Sequence, residues 1–416
     1  MSRDWKIAAV ICSLALMAAL AGFVSFMQTK PVQTPPHQRQ VRIVAPVAEP
    51  VVEPPPAEPS SQVPTLVEAA SDDINRREKA LASELGHMWT RDPENLVKVV
   101  DEASRSASTS PSVTLLLAIA HAETNGKILD VSEAGAVGLA QATPIACRQE
   151  KFDGKLYVTD DYLEGARAYI MKKPLGDADT IASLIVTRDD ARTRRRAKRL
   201  LHSAVELRLE GVNELDLLEP WAPAEFFTSV RNAKLHNLHV LQQLEHLLDH
   251  GSRAQIRTFR NHVRDEYRGM KQTQFDAWSR YQRDLAGRRD ALLQRRFGMS
   301  ASEVKKTMAY EAGEYLAIEL DQRFSARQMS AFLVQHLERK SEEARVLAHG
   351  NDRRVEEMTA ALYNGGSHNV KRMLAGLISS LPETQRYMKK VPATRRRLDA
   401  TIAEAGMVRL TRTVAR

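Results

Sequence analysis

Residues 115–144 read LLLAIAHAETNGKILDVSEAGAVGLAQATP, and this stretch decides how the rest of the chain is read. Leu115, Leu116, Ile119, Ala120 and Ala122 make a nearly continuous apolar surface, which predicts a helix buried on most sides. Pro111 lies near its start, with Ser110 as the expected N-cap, and Asn125-Gly126 reads as its stop. The one acid in the run, Glu123, falls on the last turn, just before a glycine-punctuated loop. There a carboxylate is poorly solvated and feels the negative end of the helix dipole. Both effects favour the protonated form, so its pKa is expected to rise. A carboxylic acid that holds its proton near neutral pH is suited to general acid catalysis. The same pattern also fits an ordinary carboxylate at a helix end.

More of the chain bears on that choice. Glu123-Thr124, then Ser132-x-x-Gly135-Ala136-x-Gly138-Leu139-x-Gln141 and Pro144, resembles the Glu-Ser and Gly-Leu-Met-Gln signatures of the soluble-lytic-transglycosylase-like family. A second block in the order found in that family runs Ala361-Leu362-Tyr363-Asn364-Gly365-Gly366, then Leu381-Pro382-Glu383-Thr384-x-x-Tyr387. It is similar to the family's Ala-Tyr-Asn-x-Gly and Pro-x-Thr-x-x-Tyr motifs. The resemblance implies a mostly α, lysozyme-like catalytic domain that cleaves the β-1,4 bond between N-acetylmuramic acid and N-acetylglucosamine. Glu123 is then the catalytic acid and later the base. Thr124, Ser132, Gln141, Tyr363, Asn364 and Tyr387 are the implied substrate-binding residues. The implied product is a 1,6-anhydro sugar, formed without water and without cofactor or metal. Two positions depart from the pattern: Thr124 stands at the usual Ser, and Ala140 at the usual Met. Two other readings stay open. One is hydrolysis with the same acid, in the manner of goose-type lysozyme. The other is a catalytically weak, wall-binding scaffold of an envelope assembly.

The remaining segments set the expected organisation. Residues 7–27 carry no charge and follow Arg3 and Lys6. That length spans a bilayer, and the preceding basic residues place the N-terminus inside. A membrane anchor over 1–28 is expected, with a cleaved signal at Ala19-Leu20-Ala21 as the competing reading. Ten of the 18 prolines fall between residues 31 and 64, so 29–64 reads as a polyproline-like linker rather than a helix. The expected location is the bacterial inner membrane, single-pass, with the catalytic domain in the periplasm. The net charge of +8 suits an acidic polymer or surface. Peptidoglycan strands and the membrane are the expected partners, with no nucleic acid.

Residues 65–173 and 303–392 are expected to form the two parts of the catalytic domain. Between Gln141 and Tyr363 lie 221 residues, more than the family pattern needs, so 174–302 reads as a large helical insertion. That insertion is where an envelope-complex partner would bind. Within it, Leu235, Leu238, Leu241, Leu244 and Leu248 form a helical stripe. The basic run from Arg192 to Arg199 reads as a solvated helix face. His236, His239, His246 and His250 have helical spacing but no carboxylate pattern that completes a metal site. Tyr267, Phe275, Trp278 and Tyr281 read as module core, with a sugar-binding strip as the lesser alternative. The family's Gly-Ala-x-x-Tyr-Leu helix matches 165–170 and, less well, 312–316. Residues 311–346 read as further amphipathic helix, and 393–416 as a basic tail.

Overall fold

A computed structural model describes residues 66–88, 93–106, 111–210, 221–349, 351–378 and 381–414. The anchor and linker expected over 1–64 lie outside these residues, as does Ser110. Among the described residues no helix is long and apolar enough to cross a membrane. The described chain is mostly helical. Its β content there is two isolated antiparallel bridges, Val131 to Val137 and Val137 to Ala142.

The helices are α1 (Leu66–Met88), α2 (Pro93–Ser106), α3 (Val113–Thr124), α4 (Pro144–Gln149), α5 (Asp160–Thr187), α6 (Ala191–Glu210) and α7 (Ala224–His250). They continue as α8 (Arg253–Phe297), α9 (Ala301–Thr307), α10 (Ala309–Glu319), α11 (Ala326–Leu347), α12 (Asp352–Gly365), α13 (Ser367–Leu374) and α14 (Pro382–Val414). A short 3-10 turn, Gln322–Phe324, joins α10 to α11.

The predicted buried helix is α3, and every residue from Val113 to Ala120 is buried. Its N-cap is Ser112, whose hydroxyl accepts from the Leu115 N–H. The cap therefore falls two residues beyond the expected Ser110. The stop is as read: Asn125 takes the left-handed conformation, with φ of 50°. Around α3 pack Leu81 and Leu85 of α1, Val97 and Val100 of α2, Phe332 and Leu333 of α11, and Leu398 of α14. Each such apolar side chain contributes about 1.5–3 kcal/mol when fully buried.

A second core lies apart from the first. It joins the later half of α5 (Leu175, Ile181, Ile185) to α6, α7 and the first half of α8 (Ile256, Val263). The second half of α8 returns to the first core through Tyr281, Leu285 and Leu293. One 45-residue helix thus runs across both cores. The described residues, from 66 to 414, belong to one compact unit.

Several expected boundaries and faces shift. Helix α5 continues through Pro174, where the insertion was expected to start, and α14 continues through Pro392, where the tail was expected. An interior proline costs roughly 3 kcal/mol. Burial on both sides offsets it: Ala168 and Leu175 around Pro174, Val391 and Leu398 around Pro392. The tail is tied down by Arg397 to Glu84, Arg395 to Glu356, and a 2.7 Å bond from the Thr114 hydroxyl to Asp399. The leucine stripe is split, because Leu241, Leu244 and Leu248 are buried while Leu235 is exposed. Residues 311–346 are two helices, and Ile318 and Val346 point outward. Of the four aromatics read as module core, Tyr281 is buried and Phe275 is exposed.

Candidate functional site

Helix α3 delivers Glu123 to the floor of a cleft of about 380 Å3. The opposite wall comes from α12, which ends in Tyr363, Asn364 and Gly365. The two sequence blocks, 240 residues apart, therefore meet across one cavity. The rest of the lining includes Gln141 and Ala140 from the loop, Tyr162, Tyr169 and Ile170 from α5, Trp278 from α8, and Phe332 and His336 from α11. Glu123 is the one carboxylate among the described lining residues.

Glu123 keeps part of its surface open to the cleft. Its carboxyl is otherwise enclosed by protein, and its pKa is pushed up to about 7. Burial is the main cause, and repulsion from Glu383 adds to it. The Tyr387 hydroxyl and the Lys390 ammonium work the other way. Tyr387 sits behind the acid, nearly fully buried, with its ring parallel to that of Tyr363 at 6.4 Å. Its hydroxyl is near enough to Glu123 to favour the charged form, yet makes no hydrogen bond of ordinary geometry.

The other wall is fixed by polar contacts. The Tyr363 hydroxyl donates to the Ala140 carbonyl at 2.6 Å, tying α12 to the loop. The Asn364 side-chain oxygen accepts from the Thr384 hydroxyl at 3.0 Å, which leaves the amide N–H2 as a donor group on a residue that lines the cleft. Thr384 belongs to the Pro-x-Thr-x-x-Tyr stretch, so that motif holds one cleft residue through its Thr and approaches the acid through its Tyr.

Not every expected binding residue reaches the cleft. The Thr124 hydroxyl donates to the Ala120 carbonyl of its own helix, and Thr124 is buried. The Ser132 hydroxyl accepts from the Ala136 N–H and closes a turn. These two shape the loop; neither lines the cavity. Gln141 does line it, in a left-handed conformation with φ of 45°. Its side-chain N–H2 donates to the Gly138 carbonyl at 3.0 Å.

The loop hangs on a buried side chain outside both motif blocks. Arg323 is fully buried beneath it. One terminal nitrogen donates to the Gly135 and Ala142 carbonyls at 2.9 and 3.0 Å. The other donates to the Tyr281 hydroxyl and to Asp321, and Nε also reaches Asp321. All five N–H donors of the guanidinium are thereby used. Gly138 is required at the crossing point, because a Cβ there would lie 2.0 Å from the Arg323 carbonyl oxygen.

Trp278 was read as core; it is half-buried and lines the cleft beside Tyr169, with ring centroids 5.6 Å apart. Its close approach needs Gly165, where a Cβ would meet the indole at 2.2 Å. Of the two stretches similar to the Gly-Ala-x-x-Tyr-Leu element, 165–170 is thus the one that reaches the cleft. Gly313 of the other packs under Ile128 and Leu129. His336 was not singled out by sequence, since a lone His in an amphipathic helix carries no signal. It stacks on Phe332 and pairs with Glu150 at 2.5 Å. Of the four clustered histidines, His236 bonds Glu266, His239 bonds Gln243, and the rings of His246 and His250 meet edge to face.

No family model, no curated protein and no solved structure matches this chain.

Proposed function

We propose that the protein is a peptidoglycan lytic transglycosylase with a lysozyme-like catalytic domain, and that Glu123 is its catalytic acid. One observation carries the reading: two motif blocks far apart in sequence converge on a single cleft, with a carboxyl of pKa about 7 on its floor. The motif resemblance supplies the substrate, and the geometry supports it. The Trp278 ring lines the cleft as apolar surface for a sugar ring, and the Asn364 amide offers a donor for an N-acetyl carbonyl.

The chemistry needs one acid. Protonated Glu123 gives its proton to the glycosidic oxygen as the C1–O bond of the muramic residue breaks. The neighbouring N-acetyl oxygen shares the positive charge that develops at C1. Glu123, now ionised, takes the proton of the muramic C6 hydroxyl, and O6 closes on C1. The first proton leaves on the freed 4-hydroxyl of the departing sugar, the C6 proton restores Glu123 to its acid form, and no water is consumed. Tyr387 and Lys390 favour the ionised intermediate state, while burial and Glu383 favour the protonated resting state. A pKa near 7 lets one group serve both steps. The uncharged segment at 7–27 would hold the enzyme on the membrane, with the proline-rich segment reaching towards the wall.

Digestion of purified peptidoglycan by the full-length chain, with mass spectrometry of the fragments, tests the reading. Anhydro-muramic ends are expected from the wild type, and a loss of roughly 10²–10⁴ in rate from Glu123→Gln. Reducing muramic ends would make the protein a hydrolase. No release by the wild type would defeat the enzymatic reading.

A further inference from the structure

His336 is buried, at 7% exposure, yet it lines both the Glu123 cleft and an adjoining cavity of about 520 Å3. Its ring is held on two sides. It stacks on Phe332 with centroids 5.3 Å apart, and it meets the Tyr363 ring edge to face at 5.2 Å. Burial, and next the charge of Glu123, raise the pKa of Tyr363, so His336 stands one ring away from the acid. Nδ1 lies 2.5 Å from a Glu150 carboxylate oxygen. Nε2 has no partner among the described residues, and it is not sealed from open space.

These contacts decide which nitrogen carries the proton. Burial works against the charge of Glu150, but the bonds from His336 and Arg339 outweigh it and keep the pKa below the ordinary carboxylate value. An ionised carboxylate only accepts. Nδ1 must therefore bring a proton to it, because two lone pairs at 2.5 Å would repel. Arg339 shares the same carboxylate oxygen at 2.5 Å, with its guanidinium 3.3 Å from Nδ1. A guanidinium only donates, so it serves the carboxylate and not the protonated Nδ1. Burial lowers the pKa of His336, and the charges of Lys340 and Arg339 add to this, against Glu150. The ring is then neutral, and Nε2 is a bare acceptor. A buried acceptor left without a donor is costly. Glu150 lies outside both cavity linings, so a ligand meets the pair only through the imidazole.

We propose that His336 is a substrate-recognition residue of the cleft, whose Nε2 accepts a hydrogen bond from a hydroxyl or acetamido N–H of the bound glycan, with Glu150 as the positioning residue that fixes the tautomer. The inference rests on the glycan reading of the cleft. It adds an acceptor to a cavity in which the Asn364 amide N–H2 is a donor. Both senses together suit a neutral sugar, whose hydroxyl and acetamido groups offer both in return. His336 orients the sugar, and the proton transfers stay with Glu123.

The full-length Glu123→Gln protein tests this without turnover. The probe is a peptide-free tetrasaccharide of alternating GlcNAc and MurNAc. Calorimetry gives its affinity, and 15N NMR of labelled imidazoles reports both ring nitrogens. In the free protein at pH 7, His336 is expected to show a protonated Nδ1 and a bare Nε2. Saturating tetrasaccharide should shift Nε2 and leave Nδ1 protonated, which a merely packed histidine would not do. His336→Phe keeps a ring against Phe332 and should weaken binding about tenfold. His336→Gln, which restores an acceptor, should recover most of that. Glu150→Gln should populate the Nε2–H tautomer and cost a similar factor. With 15N in the sugar's acetamido groups, an amide proton moved downfield in the complex, but not with His336→Phe, assigns the donor as N–H; an unmoved one assigns it as a hydroxyl. Far-UV circular dichroism and melting temperature check each fold, and should the Phe variant unfold, the Nε2 shift in the parent protein decides. A protonated Nε2 in the free protein, an Nε2 signal unmoved by ligand, or undiminished binding by folded His336→Phe would overturn the inference alone, leaving the nitrogen to water. No binding by the parent protein would overturn the glycan reading and this inference with it.

Discussion

Glu123 is at once the group the proposed chemistry needs and a liability to the fold. Its pKa rises from 4.5 to about 7 on folding. Between those values the folded state binds more protons than the unfolded state, so stability falls as pH rises. Below pH 4.5 there is no penalty, and above 7 the penalty is complete. Glu123→Gln removes the titration. It should therefore be more stable than the wild type at pH 8, by about 1–3 kcal/mol after discounting for the open cleft face, and indistinguishable at pH 4. Melting temperatures of the pair at the two pH values check this. An equal difference at both would mean that the carboxyl is solvated. Catalysis should respond at the same pH: kcat/KM is expected to fall as pH climbs through about 7 and Glu123 loses its proton. The direction of this shift was legible in the sequence, from an acid on the last turn of an apolar helix. What sequence could not show was the counterweight: Tyr387, Glu383 and Lys390 lie some 260 residues on and reach the carboxyl only through tertiary packing.

The loop from Asn125 to Thr143 has almost no regular structure of its own, so its shape must come from what lies beneath it. Its glycines were visible in the motif, but their reason was not. The residue that Gly138 accommodates is Arg323, in a stretch, Asp321-Gln322-Arg323, that falls within the amphipathic helix expected over 311–346. An arginine signals burial only through its acceptors, and these come from Gly135, Ala142 and Tyr281, remote in sequence. Thr124 and Ser132 lie off the cleft lining for a related reason: a hydroxyl serves a helix or a turn as readily as a ligand, and here each bonds local backbone. Arg323→Met would leave Asp321 buried without its cation and two loop carbonyls without donors. We expect it to lose about 3–5 kcal/mol of stability. The part that survives should bind glycan more weakly, because the loop carries Gln141 and Ala140 into the cleft. Denaturant unfolding measures the first effect. A loss under about 1 kcal/mol would show that the loop holds its shape without the arginine.

At the scale of the whole molecule, the two motif blocks account for the cleft's floor and one wall, and the segment between them supplies much of the rest. Composition and helical periodicity predict helix over 174–302, and the described residues of that segment are mostly helical. Those two signals could not show where it docks, because an amphipathic stripe reports a buried face and not its partner. In the structure, α5 enters the segment without a break, and α8 leaves it carrying Tyr281, Leu285 and Leu293 into the core that surrounds α3. Tyr281 also bonds the Tyr157 carbonyl at 2.7 Å and receives Arg323, so it takes part in the same buried network that holds the loop. Trp278 and the cleft wall come from the same turns of α8. A separable insertion would be removable. This one is not expected to be: a chain lacking 174–302 would lose three large core side chains and the Arg323 partner together. At roughly 2–5 kcal/mol for each large side chain lost, and about 3–5 for the orphaned arginine, the loss is comparable to the whole usual stability of a domain, about 5–15 kcal/mol. Such a deletion should show no cooperative thermal transition and no near-ultraviolet circular dichroism. Replacing only the tip between Asp189 and Ser252, which leaves α8 from Arg253 onward, should keep a cooperative transition at lower temperature. If the full deletion unfolded cooperatively, the long helix would be an ornament on a self-sufficient catalytic domain, and the wall that Trp278 adds to the cleft would have to be dispensable too.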